Sequence, residues 1–268
     1  MTEFPDSSKA TLRQWLSTGR VLVRGQVVRD PKAAIAEGER PTLGLRSVRA
    51  SPGGGAVTIP LLYRDAALLM INKPAGLLSV AAAYERERSA HAILEQQLRT
   101  TVYPVHRLDR ETSGVLCFAL QLEAQQVLKQ RFAEHALQRQ YVAVVEGRLE
   151  DREGEWRSWL KEDGVSYQVS VASPHDPDAH EAVTLYEVMK EGRHRSLLRL
   201  TLHTGKKHQI RVHCAQAGVP VVGDGRYGHA DRRLALHAEY LGMEHPLSDR
   251  WIEGRVPSPP MFHALLHA

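Results

Sequence analysis

Apolar and polar positions divide this chain into short segments whose periods predict more strands than helices. In "ATLRQWLSTGRVLVRGQVVRD", Leu12, Trp15 and Leu16 keep helical spacing, and "VLVRGQVV" then sets two apolar runs about a polar Arg-Gly-Gln turn. "LLYRDAALLMINKPAG", Leu61 to Gly76, predicts two strand pieces about an Arg-Asp turn, stopped by Pro74 and Gly76. "SAHAILEQQL" and "EAQQVLKQRFAEHAL" repeat apolar residues every three or four positions, so both are expected as helices with one face on a sheet. "QYVAVVEGRL", "VTLYEVM" and "SLLRLTLHT" are rich in Val, Leu, Tyr and Thr, and "RLALHAEYL" puts Leu234, Leu236, Ala238 and Tyr240 on one side; these are predicted strands. "KHQIRVHCAQAG" returns to helical spacing through Ile210, Cys214 and Ala217, with Gly218 as its stop. The class is α+β.

Small and Gly/Pro residues interrupt these periods in "VRASPGGGAVTIP", Val48 to Pro60. The expected organisation is therefore a small N-terminal segment at 1–50, a linker at 51–60 and a main domain at 61–268. A helix and a small hairpin bury too little apolar surface to form a core alone, so the larger segment must carry the main core.

Composition narrows the class. With 268 residues, 43% hydrophobic and 25% charged, the chain has the profile of a globular enzyme. No run approaches a membrane span, and "MTEFPDSSKA" lacks the basic and apolar regions of a signal peptide, so a cytoplasmic location is expected. Cys117 and Cys214 fit neither a disulfide framework nor a CxxC pair and are expected as buried fillers. A net charge of +4 leans toward a polyanionic partner, and 27 arginines against 8 lysines suit bidentate phosphate recognition, although a general compositional bias explains that ratio equally well.

One stretch concentrates chemistry. In "HRLDRETSG", His106 to Gly114, a carboxylate stands between two arginines. If the segment is extended, Arg107 and Asp109 face one way, with His106 and Leu108 opposite. A guanidinium alongside favours the ionised carboxylate. An ionised, held carboxylate serves as nucleophile or base, but a plain Arg-Asp ion pair before a Thr-Ser-Gly turn accounts for the same residues. Thr112, Ser113 and Gly114 read as the turn that presents Asp109.

The neighbouring motifs decide between these readings. "HRLDRETSG" resembles the signature of the RluA-type RNA pseudouridine synthases, and "NKPAG", "QRQYVAVVEG", "TGKKHQIRVHCAQAGVPVVGDGRYG", "LALHA" and a late His245-Pro246 stand in that family's order. The resemblance covers roughly Leu61 to Phe262. It implies a mixed, mainly antiparallel central sheet flanked by helices, and the isomerisation of a uridine inside an RNA chain to pseudouridine. It also implies Asp109 as nucleophile, Tyr141 stacked on the uracil and assisting proton removal, and Arg211 pairing with the nucleophile. From the residues alone Tyr141 reads as a core strand aromatic and Arg211 as part of a solvated helix face. The N-terminal segment resembles the second half of an S4-type RNA-binding module.

Reaching a base in folded RNA requires extruding it. Arg107 is expected to insert beside it or grip its phosphate, with His106, Lys73, Lys206 and Lys207 as further RNA contacts and Asn72 as loop support. Where the family commonly reads Gly-Arg-Thr-His-Gln, this chain has Gly205-Lys206-Lys207-His208-Gln209, keeping charge but not arginine's planar fork. His203, His208 and His213, spaced by five, do not share a helical face, so no metal site is expected. "GDGRYG" matches neither phosphate-loop spacing and reads as a turn. No cofactor is implied, and RNA and a monomeric state are. A binding factor that kept the fold has no need of Asp109, Tyr141 and Arg211 together. A glycosidase needs a second carboxylate, for which only Glu111 stands nearby.

Overall fold

The computed structural model describes residues 21–23, 26–28, 42–43, 58–81 and 89–267. The chain divides into two compact units, Met1–Ala56 and Val57–Ala268. In the first, Val21–Val23 (β1) and Gln26–Val28 (β2) pair antiparallel with Val23 opposite Gln26, and Thr42–Leu43 (β3) adds to the other edge of β1. The two apolar runs of "VLVRGQVV" thus form a hairpin. The helix expected at Leu12, Trp15 and Leu16, and most of the 51–60 linker, lie outside the described residues.

The second unit is built on an eleven-stranded sheet among the described residues. Leu61–Arg64 (β4) and Leu68–Lys73 (β5) form the hairpin expected about the Arg-Asp turn. Asp65 fixes that turn by accepting from the backbone N–H of Ala67 and Leu68, and its other oxygen meets His245 Nε2 at 2.9 Å. Ala90–Leu98 (α1) follows, capped by Ser89, whose Oγ accepts from Ala92 N. Next come Tyr103–Pro104 (β6), Ser113–Ala119 (β7), Leu122–Ala133 (α2) and Gln138–Glu146 (β8).

Glu153–Glu162 (β9) and Val169–Ala172 (β10) were not among the expected strands. Their signal is the alternation Trp156, Ser158, Leu160, which buries one face while Glu155, Arg157 and Glu181 meet on the other as surface ion pairs. His180–Glu191 (β11), Arg195–Leu202 (β12), Gln209–Gln216 (α3), Leu236–Glu244 (β13), Trp251–Arg255 (β14) and Met261–Leu265 (α4) complete the fold. The main sheet order is β10-β9-β11-β12-β8-β13-β7-β5-β4, with β14 on β13 and β6 on β7.

Every pairing is antiparallel except β13 with β7, and that exception places the functional cleft. Ala238 of β13 pairs with Gly114 on one side and Tyr141 on the other, so one residue bridges the end of "HRLDRETSG" and the strand carrying Tyr141. Only glycine fits at 114, where φ is +115° and a Cβ would stand 2.1 Å from the Ala238 carbonyl oxygen. β5 and β7 bury residues of both faces: Leu69, Ile71, Leu116 and Phe118 pack with α1, while Leu68, Met70, Val115 and Cys117 pack with Ala124 and Leu128 of α2. A further core joins β8, β12 and β13 to α3 and to Phe262 of α4. Full burial of Phe262 is worth about 2–3 kcal/mol by the area it removes from water. Both cysteines are free and buried, as expected.

Candidate active site

Asp109 belongs to no strand. It opens a turn in which Thr112 N donates to its carbonyl at 3.1 Å, and the next residue begins β7. Its neighbours are tied down from the "NKPAG" loop. Ser79 Oγ accepts from Leu108 N at 3.0 Å and donates to Leu108 O at 2.8 Å, while Gly76 N donates to Arg110 O and Arg110 Nε donates to Gly76 O. Backbone bonds therefore hold the chain on both sides of Asp109, leaving its side chain free to face a cavity of about 480 Å³.

Lys73 completes this support. Its ammonium donates to the carbonyls of Pro74, Leu77 and Arg110 at 2.9, 2.8 and 3.1 Å, which uses all three of its protons. Burial, only partly offset by the charges of Glu111 and Asp109, brings it down to about 8. Lys73 is fully buried, so the expectation of an RNA contact there is corrected: it is a strut between two loops. His106 lines the cavity half-buried. Its Nε2 accepts from Cys117 N at 3.0 Å, its ring stacks on Phe132 at 4.3 Å, and burial with the nearby Arg139 charge lowers it to about 3. It remains neutral and brings no charge to RNA.

The guanidinium beside Asp109 comes from 102 residues away. Arg211 Nη1 donates to Asp109 Oδ2 at 3.2 Å, whereas Arg107, exposed at the cavity, makes no ion pair among the described residues. The local Arg-Asp pair that the sequence offered is thus replaced by a tertiary one. Arg211 projects from α3 and is held from behind by Asp224, which accepts from its Nε and Nη2 at 2.7 Å each. Burial opposes the Arg211 charge, but the Asp224 hydrogen bonds and charge, joined by Asp109, push its pKa up. Burial likewise opposes ionisation of Asp224, yet the Arg211 fork and the backbone N–H groups of Arg226 and Tyr227 hold it below the usual carboxylate range.

His208 faces the same oxygen of Asp109, with Nε2 3.8 Å from Oδ2. It caps α3 in a left-handed conformation, φ 52°, a strain of order 1 kcal/mol that the surroundings must impose. They do so through Tyr227, whose hydroxyl lies 2.8 Å from His208 Nδ1 and already accepts from Val169 N. Burial is the main reason His208 is shifted down; Asp109 pulls the other way, and Arg211, Arg226 and Lys207 add to the lowering. Gln209 fixes the loop before the helix, accepting from Thr204 Oγ1 and Lys206 N and donating to Val183 O and Thr184 Oγ1.

Tyr141 lines the same cavity from β8. Its hydroxyl has no hydrogen-bond partner among the described residues. Burial pushes it up to about 12, with Asp109 adding to the rise and Arg139 working against it. Lys206 lines the cavity half-buried, while Lys207 is drawn to Glu162 and lies over the Tyr167 ring at 5.4 Å. Asp109, Tyr141 and Arg211, expected together from separate motifs, do meet at one cavity. His208, Asp224, Tyr227 and Arg139 were not foreseen as parts of it. Their signals were present in "GKKHQIR", "GDGRYG" and "QRQY", but spacing along the chain gives no indication that these segments touch.

Among the described residues no cluster of His, Cys, Asp or Glu is arranged to hold a metal ion, and no helix is long and apolar enough to cross a membrane. The cavity offers a carboxylate faced by a guanidinium and an imidazole, an aromatic face and a basic rim.

Comparison with known proteins agrees with this arrangement. The sequence profile described as RNA pseudouridylate synthase matches residues 67–216. Ribosomal large subunit pseudouridine synthase D of Xanthomonas campestris is 31% identical across 99% of this chain and 86% of its own length. The tRNA pseudouridine synthase C of Pasteurella multocida is 36% identical across 73% of this chain and 90% of its own. Among solved structures, human RNA pseudouridylate synthase domain containing 1 superposes with a TM-score of 0.67 at 25% identity, covering 79% of this chain and 89% of that one. The fold, the motif order and these likenesses together establish that the chain belongs to the RNA pseudouridylate synthase family, in its RluA-type branch, and is an isomerase.

Proposed function

We propose that this protein converts uridines of structured ribosomal or transfer RNA to pseudouridine, with Asp109 as the nucleophile. The observation that carries the reading is the 3.2 Å contact of Arg211 with Asp109 Oδ2 at the mouth of a cavity shared with Tyr141. Arg211 occupies one carboxylate oxygen; Oδ1 has no hydrogen-bond partner among the described residues and is free to bond a reacting carbon.

Isomerisation breaks the bond from N1 of uracil to C1′ of ribose and makes one from C5 to the same carbon. The C5 proton leaves and N1 regains one, so the reaction is redox-neutral. A volume of about 480 Å³ suits a single extruded nucleoside, and extrusion costs a few kcal/mol of stacking. Tyr141 is suited to stack on the uracil, and its phenol stays protonated at neutral pH. The relatives named for ribosomal large subunit RNA and for tRNA support those two classes of substrate.

The test incubates purified wild type and Asp109→Ala with total RNA from cells lacking the gene and maps pseudouridines at nucleotide resolution. New sites from wild type alone are expected, and they identify the RNA. Sites formed by Asp109→Ala would overturn the nucleophile assignment. No site from either protein, on RNA free or assembled in ribonucleoprotein particles, would overturn the enzymatic reading in favour of an RNA-binding factor.

A further inference from the structure

Arg139 is a buried guanidinium with no counter-charge among the described residues. It precedes Tyr141 by two positions on β8, so both side chains lie on one face, and both line the cavity. Only 7% of Arg139 is exposed, yet its Nε and Nη2 have no hydrogen-bond partner, and no carboxylate pairs with it among the described residues. An uncompensated buried ion costs several kcal/mol, and arginine cannot relieve that cost by losing its proton.

Elsewhere in this molecule the same edge of the side chain is used. Arg211 and Arg195 each present Nε and Nη2 as a fork, one to Asp224 and the other to Glu146. The corresponding edge of Arg139 grips nothing. The Arg139 and Lys206 charges both bear on His135, whose Nδ1 is also buried without a partner. Gly205 makes room for the group: a Cβ there would stand 2.3 Å from Arg139 Nη1. Of the other cavity cations, Arg211 is neutralised by Asp224 and Asp109 and Lys207 by Glu162.

We infer that Arg139 is the receptor for a backbone phosphate of the RNA, adjoining the nucleotide extruded into the cavity. A phosphodiester brings one negative charge and two oxygens spaced for a guanidinium fork. Nη1, beside Gly205, meets it first. The Nε and Nη2 edge has no protein hydrogen bonds to break when the side chain turns to complete the grip. The inference rests on the cavity being the uridine site, and it separates one inner phosphate contact from the exposed rim at Arg107 and Lys207.

The experiment reads anion binding apart from catalysis. Inorganic phosphate, exchanged for chloride at constant ionic strength, is expected to raise the melting temperature of wild type and of Asp109→Ala by a few degrees, about 5 °C at a hundred times its dissociation constant. Arg139→Met is expected to lose that response and to melt higher than wild type without phosphate, because the buried charge is gone. On the RNA that wild type modifies, KM should rise about tenfold or more with kcat within about threefold, the salt slope should fall by about one contact, and Arg139→Lys should recover much of the binding. An Arg139→Met protein with unchanged phosphate response and KM would overturn the inference and leave the isomerase reading intact. A phosphate response confined to proteins with Arg139, in a wild type that modifies no RNA, would support the anion site and remove the isomerase reading. Should Arg139→Met fail to fold, Gly205→Ala decides, since it keeps the cation and crowds Nη1: a lost response supports the site and a full one overturns it.

Discussion

Arg211 grips Asp224 through two hydrogen bonds of 2.7 Å and gives Asp109 only one, at 3.2 Å. The tighter fork belongs to the fully buried carboxylate, and the looser contact to the proposed nucleophile. Asp224 thus anchors the guanidinium, so that Asp109 keeps a cationic partner without both its oxygens being occupied. Asp224→Asn is expected to lower stability by about 2–4 kcal/mol, since a buried pair loses one charge. Freed of its anchor, Arg211 should close on Asp109, and kcat should fall about 10- to 100-fold with KM for RNA within about threefold. Urea melts and single-turnover kinetics test both; an unchanged kcat would remove Asp224 from the positioning of Arg211.

Tyr141 separates stacking from proton transfer. Its hydroxyl has no partner among the described residues, so Tyr141→Phe should fold with stability within about 1 kcal/mol of wild type and keep its RNA affinity. If the phenol takes part in removing the C5 proton, the rate falls about 100-fold or more. A Tyr141→Phe enzyme with the wild-type rate would confine the residue to stacking.

Lys73 and Arg107 are both cations near the Asp109 turn, and their variants should behave oppositely. Lys73→Met takes the donor from three carbonyls and is expected to cost about 2 kcal/mol or more. Arg107→Ala should shift the melting temperature by less than about 2 °C, because the side chain is exposed and unpaired. It should weaken RNA binding and reduce the salt slope by about one contact. Thermal melts beside RNA titrations at several salt concentrations distinguish them, and an Arg107→Ala protein that mainly loses stability would refute the RNA role.

Three buried histidines make the fold sensitive to acid. Burial lowers His213 and His237 to about 4, and burial together with Arg139 lowers His106 to about 3. Each is neutral in the fold and takes up a proton near pH 6.5 when unfolded, so the unfolded state binds more protons between those values. Their contribution is complete above pH 6.5 and is lost as pH falls toward 4. Each histidine adds about 1.4 kcal/mol per pH unit to the slope of unfolding free energy within that window. Urea titrations from pH 4.5 to 8 should show the slope, and His213→Gln should reduce it by one proton's share. A flat profile would contradict the buried neutral state.

Local chemistry determined much of this protein. Period-two and period-3.6 patterns placed the hairpin around Asp65, the helices at 90–98 and 122–133 and the strands at 138–146 and 195–202, because each buries one face or stripe wherever it packs. Motif order likewise named Asp109, Tyr141 and Arg211. What the chain alone left open was which charges meet. Arg107 is two residues from Asp109, yet the partner is Arg211, delivered by the packing of α3 against the sheet. Lys73 looked like a surface cation and is a buried strut, since its surroundings are three carbonyls supplied by two different loops. Asp224, His208 and Arg139 joined the cavity only through folding. An apolar side chain needs merely a side to turn inward, which its own segment specifies; a charge takes its role from partners at distances of 3 to 4 Å, and those partners meet only through the register of β7, β13 and β8 together with the packing of α3.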